Sequence, residues 1–207
     1  DSMAMFILED LDNAEKNIVY LEEASKTLPH LDVVYGLKAR LYMWIGDYAN
    51  AKKYARLAID NASAGVMTEA DCRDPKTGFN QLSKWMLGSQ LVAEDATVKT
   101  GIVNWASWMC NEAEYGYAAA EPMTMIDAAM YNGLNNTDFR KKMFKAPAGH
   151  ELSGQEVYIS DAFAKYIPTY GAIKFRPNEG NTEEFTIGSA TAFPLMRVEE
   201  MYFIEAE

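Results

Sequence analysis

Between Asp32 and Ala62 the chain sets Tyr35, Ala39 and Tyr42 ahead of Gly46-Asp47-Tyr48, and Ala51, Ala55 and Ala58 behind it. Residues three or four apart share one face of a helix, so each run is helical. Small side chains recurring on that face let two helices approach closely, and the tyrosines fill the groove between them. Gly46 stands where a chain leaving a helix takes a left-handed conformation, and Asp47 is placed to cap the helix that follows. The spacing predicts two antiparallel helices, over 32–45 and 47–62, burying Ala39, Tyr42, Ala51, Ala55 and Ala58.

Helical periodicity returns at both ends of the chain. Ile7, Leu11, Ala14, Ile18 and Leu21 fall on one face at steps of four, three, four and three residues. After Phe193-Pro194, the apolar residues Met196, Tyr202, Phe203 and Ala206 alternate with Arg197 and several glutamates, the pattern of an amphipathic helix beginning at the proline. Between these regions the period fades. Asp71 to Gly78 is a solvated acidic loop, with Asp74-Pro75 starting a turn. From Ala146 to Thr191, short β-like runs such as Gln155 to Ile159 alternate with Gly and Pro turns.

With 49% apolar residues, the 207-residue chain can bury a sizeable core. A net charge of -11, with lysines and arginines scattered singly or in pairs, excludes the basic stripe that a phosphate backbone requires, so no nucleic acid is expected as a partner. Cys72 and Cys110 lack the spacing of a redox or zinc motif and are expected as buried thiols, and with only His30 and His150 a histidine zinc site is not expected. There is no Gly-x-Ser-x-Gly elbow, phosphate-binding glycine loop or His-Glu-x-x-His.

The hairpin resembles a tetratricopeptide unit, a repeat of about 34 residues. Taken with the closing run, it resembles the SusD/RagB-like family, the surface nutrient-binding lipoproteins of Gram-negative glycan uptake systems. That family's repeat is commonly written Ala-Arg-x-Tyr-Leu-x-x-Gly-Asp-Tyr-x-x-Ala, and Ala39, Arg40, Tyr42, Gly46, Asp47, Tyr48 and Ala51 match it. Its helix Arg-x-Ala-Glu-x-Tyr-Leu-x-x-Ala-Glu is matched by Arg197, Glu200, Tyr202, Ala206 and Glu207, with Phe203 a mild swap and Glu199 standing where a small residue is preferred. Asp10-Leu11-Asp12-x-Ala14, Asn136-Thr137-Asp138-Phe139-Arg140 and Tyr170 to Phe175 resemble further family segments, in the family's order.

The resemblance implies a mostly α protein of tetratricopeptide-like helical hairpins with long irregular loops and a few short strands. The 207 residues are then an internal portion of one such domain. Residues 1–62 would be its helical part, 63–192 a loop-rich part with the ligand site, and 193–207 the start of a further repeat helix. Implied with it are a non-catalytic role without cofactor, a surface position on the outer membrane through a lipid anchor outside this chain, an oligosaccharide ligand, and a β-barrel transporter as partner.

Sugars stack their C–H faces on aromatic rings while amides and carboxylates take the hydroxyls. Asn104-Trp105-Ala106-Ser107-Trp108, followed by Asn111, Glu112, Tyr115 and Tyr117, offers that combination, so Asn104, Trp105, Trp108, Asn111, Tyr115 and Tyr117 are the candidate ligand residues. Both tryptophans also suit a core, where large aromatics dominate buried area. Two rival functions remain at this stage. One is a tetratricopeptide scaffold for a peptide, and the other a glycoside hydrolase built on some pair among the 30 acidic residues.

Overall fold

The structure, a computed structural model, describes residues 2–18 and 25–207. It is mostly α, with a tetratricopeptide-like hairpin and long irregular connections. Among the described residues, two short strands, Leu87–Gln90 and Ala192–Met196, form one sheet. The chain divides into two compact units: Asp1–Val66 with Leu82–Ser89 and Pro194–Glu207, and Met67–Gln81 with Gln90–Phe193.

The first unit is built from α1 (Ser2–Asn17), α2 (Leu31–Trp44), α3 (Tyr48–Asn61) and the last helix, Val198–Ala206. The turn from α2 to α3 follows from its residues. Gly46 adopts φ 77°, its N–H donates to Met43 O at 3.1 Å, and Asp47 N–H donates to Tyr42 O at 2.9 Å, so two orphan carbonyls of α2 are satisfied by a left-handed C-terminal motif. Asp47 then caps α3 by accepting from Asn50 N–H at 3.1 Å. Ala39, Ala51, Ala55 and Ala58 are fully buried between the helices, and Tyr42 stacks on Tyr54 with centroids 5.4 Å apart while remaining half-buried.

Arg40 of the hairpin pairs with Glu200 of the last helix, Nε to Oε1 at 2.6 Å, and also donates to Leu195 O at 2.7 Å. Two segments that carry the resemblance are thus joined by a fork-like ion pair. Close approach of Met196 depends on Gly36, where a Cβ would lie 2.3 Å from the Met196 sulfur. The closing run departs from its expected form. Pro194 lies in a strand, and the helix starts only at Val198. Val198 and Met201 are buried whereas Tyr202 and Phe203 are exposed, and Glu199, half-buried, lies 3.4 Å from Arg197. Proline lacks the amide to continue a helix and suits an extended segment.

The anticipated face of α1 is met in part: Leu11, Ala14 and Ile18 are half-buried. Ala4 and Leu8 are its buried residues and Ile7 is exposed. Lys38 of α2 is fully buried and donates to Asp12 at 2.6 Å and to Glu15, tying that side of α1 to α2. Burial alone would lower the ammonium's pKa, but the two carboxylates more than reverse this and hold Lys38 above the ordinary lysine range. Leu21 lies outside the described residues.

The second unit has little regular structure, so internal polar side chains satisfy its backbone in place of ladders. Asn80 accepts from Arg176 N–H at 2.8 Å and donates to Ala192 O at 2.8 Å, and Gln81 donates to Asp71 O and Gly78 O. Glu156 accepts from Ala146 and Gly154 N–H. At the centre, Glu112 and Arg176 form a fully buried ion pair; Glu112 also accepts from Ile159 N–H at 2.8 Å, and Arg176 donates to Val157 O. Burial raises the Glu112 carboxyl despite the guanidinium beside it. Small apolar clusters surround this framework: Ala113, Tyr115 and Ala118; Tyr131, Ala146 and Leu152; and Phe163, Ile167 and Ile173.

The acidic loop is local capping. In the short helix α4 (Glu69–Arg73), Asp71 and Thr68 form a reciprocal capping box, and Asp74 accepts from Lys76 and Thr77 N–H. Residues 155–159 are irregular rather than β, and Gly171, Ala172 and Phe175 make only isolated bridges, to Met125, Phe144 and Gly78. With side chains already satisfying the neighbouring backbone, no continuous ladder is needed there.

Candidate functional site

The candidate ligand residues surround two short helices of the second unit, α5 (Trp105–Met109) and α6 (Gly116–Ala119). Asn104 is buried and caps α5, accepting from Ser107 N–H at 2.9 Å. Trp105 is half-buried, edge-on to Phe175 at 4.8 Å and stacked on Phe193 at 5.8 Å. Asn111 is buried and works as a staple: its amide donates to Thr124 O and Ala172 O at 2.7 and 2.8 Å, and its carbonyl accepts from Thr124 N–H at 2.9 Å. Tyr115 is buried against Phe185, and burial lifts its hydroxyl above the usual tyrosine range. Asn104, Trp105 and Tyr115 pack against protein, and Asn111, buried as well, contributes to a pocket wall.

Trp108 and Tyr117 differ. Trp108 is 55% exposed, and its ring lies over that of Tyr117 with centroids 4.1 Å apart and planes 38° apart. Their meeting depends on Gly116, which has φ 68° and approaches Ser107 so closely that a Cβ would fall 2.2 Å from its hydroxyl oxygen. That hydroxyl accepts from Tyr117 N–H at 3.1 Å, fixing the start of α6 on α5. The result is an amphipathic aromatic surface held by buried polar contacts.

The other side chains of α6 line a pocket. Ala118 and Ala119 form part of its wall, with Asn111, Ala113, Glu114, Glu121, Met123, Phe163, Tyr166 and Pro168 among the rest, around a volume of about 710 Å³. That is ample for a small-molecule group. Glu114 and Glu121 are exposed, and Tyr166 is 73% exposed at the end of the helix Phe163–Tyr166. Lys145 secures that end by donating to Ala164 O and Ile167 O at 2.7 and 2.6 Å. Glu121 holds a left-handed φ of 72°, a conformation that non-glycine residues seldom take.

Tyr166, Glu114 and Glu121 were not among the sequence-derived candidates. The tyrosine lies more than forty residues along the chain from Tyr117, so only folding brings it to the same pocket wall as α6. The sole local hint was Phe163 with Tyr166 three residues on, an apolar anchor followed by an amphipathic ring. Among the described residues, no group of three or more His, Cys, Asp or Glu is placed to hold a metal ion. Cys72 and Cys110 are both buried thiols, and burial, with Glu112 nearby, raises that of Cys110.

A tetratricopeptide-like hairpin with long irregular connections and a few short strands is a SusD-like fold, and this chain has that fold. No family model matches it, and no curated protein matches it. Solved structures do. A SusD-like carbohydrate binding protein from Bacteroides vulgatus ATCC 8482 superposes with TM-score 0.66 at 16% identity, over 99% of this chain and 38% of that one. A SusD superfamily protein from Bacteroides thetaiotaomicron VPI-5482 gives 0.64 at 14% identity, over 98% of this chain and 41% of that one. Surface glycan-binding protein A from Bacteroides thetaiotaomicron gives 0.62 at 15% identity, over 100% of this chain and 49% of that one. The chain therefore spans less than half the length of each, and the likeness is one of fold.

Proposed function

We propose that this chain belongs to a non-catalytic glycan-binding protein that captures oligosaccharide at the cell surface and passes it to a β-barrel transporter in the outer membrane, where a lipid anchor outside this chain holds it. The observation that carries the reading is the Trp108–Tyr117 ring pair, an exposed Trp108 of α5 resting on a half-buried Tyr117 of α6, the helix that also supplies a pocket wall. The SusD-like fold supports it, since solved proteins of that fold are described as carbohydrate-binding and glycan-binding. No helix of the described residues is long and apolar enough to cross a membrane.

Of the six candidates, Trp108 and Tyr117 are the ligand contacts in this reading, and Asn104, Trp105, Asn111 and Tyr115 position them. Calorimetric titration of the full-length protein against oligosaccharides, with product analysis after long incubation, tests the proposal. Binding without cleavage, weakened in Trp108→Ala and Tyr117→Ala, is the expected result. Cleavage of the bound glycan would replace it with a hydrolase reading. Glycan binding unaffected by either substitution would move the site elsewhere.

A further inference from the structure

We infer that the pocket beside α6 takes a hydrogen-bond-donating, non-anionic sugar face and turns away uronate and sulfated glycans; this rests on the glycan-binding reading above. The lining decides the matter through what its side chains offer. Glu114 and Glu121 are exposed carboxylates, acceptors only when ionised, and neither is in an ion pair among the described residues. Asn111 is the lining's only amide, and its N–H groups are already engaged by Thr124 O and Ala172 O.

The lining contains no lysine, arginine or histidine, and Lys165, on the same helix as Tyr166, is exposed and outside it. The Tyr166 hydroxyl is thus the one side-chain donor remaining, on a ring whose face also suits a sugar's C–H surface. Three of the lining's backbone donors are engaged as well: Glu114 N–H donates to Thr182 O, Glu121 N–H to Ala118 O and Met123 N–H to Glu121 O. A ligand that satisfies this wall brings donors, which are hydroxyls or a protonated amine. One bearing carboxylate or sulfate brings acceptors and a like charge beside Glu114 and Glu121, in a chain whose 207 residues carry a net charge of -11.

The test is titration of the full-length protein at fixed low salt with three oligosaccharides of equal length: a neutral glucan, its 2-amino counterpart and an oligogalacturonate. Glu114→Gln, Glu121→Gln and the double variant are compared with wild type. Wild type is expected to bind the neutral and amino sugars and to bind the uronate at least tenfold more weakly. In the double variant that gap should close, with the amino sugar losing affinity and the uronate gaining it, while Trp108→Ala weakens all three alike. Equal binding of uronate and neutral sugar by wild type, or an unchanged ranking in the double variant with sugar still bound, overturns this inference and leaves the glycan-binding reading standing. Absence of binding to all three overturns both.

Discussion

Trp85 and Trp108 carry the same side chain into opposite surroundings. Trp85 is fully buried in the first unit, whereas Trp108 shows more than half its surface to solvent. Truncating the first leaves a cavity, so Trp85→Ala should cost about 3–5 kcal/mol in denaturant unfolding. Trp108→Ala removes a surface ring and should stay within about 0.5 kcal/mol of wild type. Its effect belongs in binding instead, where a roughly tenfold loss of oligosaccharide affinity corresponds to about 1.4 kcal/mol. Comparable destabilisation by both would make Trp108 a structural residue. The buried Glu112–Arg176 pair gives a second residue-scale prediction. Arg176→Met strands a buried carboxylate and should cost about 3–5 kcal/mol. Burial already raises the Glu112 pKa, and without Arg176 the folded state holds a proton that the unfolded chain releases above a pKa of about 4.3. The deficit relative to wild type should therefore shrink as pH falls through the folded-state value and widen as pH rises, and adding Glu112→Gln should recover stability at neutral pH. A deficit independent of pH would show that packing, not charge, is what Arg176 supplies.

At the scale of the element, the hairpin is limited by how closely α2 and α3 approach. Ala51 is fully buried, so Ala51→Leu should overpack the contact and lower stability by roughly 1–3 kcal/mol. An unchanged unfolding midpoint would mean that the helices are not in contact there. Asp47 caps α3, and its bonds from the Asn50 side chain and backbone hold its carboxyl below the ordinary range. A depressed folded value makes the cap's contribution fully present above the unfolded carboxylate pKa and lost as pH falls through the folded one. Asp47→Asn should keep the cap and remove that pH dependence, whereas Asp47→Ala should lower the melting temperature at neutral pH. The short helices α5 and α6 obey a different logic, having too few turns to be stable alone. They persist through the Asn104 cap and the Ser107–Gly116 contact, so Gly116→Ala should disturb the Trp108–Tyr117 pair through both its φ and its collision with Ser107. Loss of the near-ultraviolet aromatic signal would report it.

For the whole molecule, the proposed uptake role predicts that the full-length protein co-purifies with a β-barrel transporter in mild detergent. Failure to co-purify would count against transfer to a transporter while leaving glycan binding open. The hairpin was legible in the sequence because its determinants are local: Gly46, Asp47 and alanines at helical spacing act within a turn or two of one another. The mostly α fold followed from the same periodicity. Side-chain destiny in the loop-rich part was not legible, because Asn104 and Asn111 look equally suited to holding a sugar or holding backbone. Only the arrival of Thr124 and Ala172 beside Asn111, distant in sequence, assigns it to the backbone. Likewise α1 buries Leu8 while Ile7 is exposed, with Lys38 of another helix paired to its Asp12 and Glu15. Local sequence determined the turn at Gly46-Asp47 and the two helices that flank it. Tertiary structure alone decided which polar and aromatic groups face protein and which face a ligand, because exposure is set by neighbours that spacing along the chain does not encode.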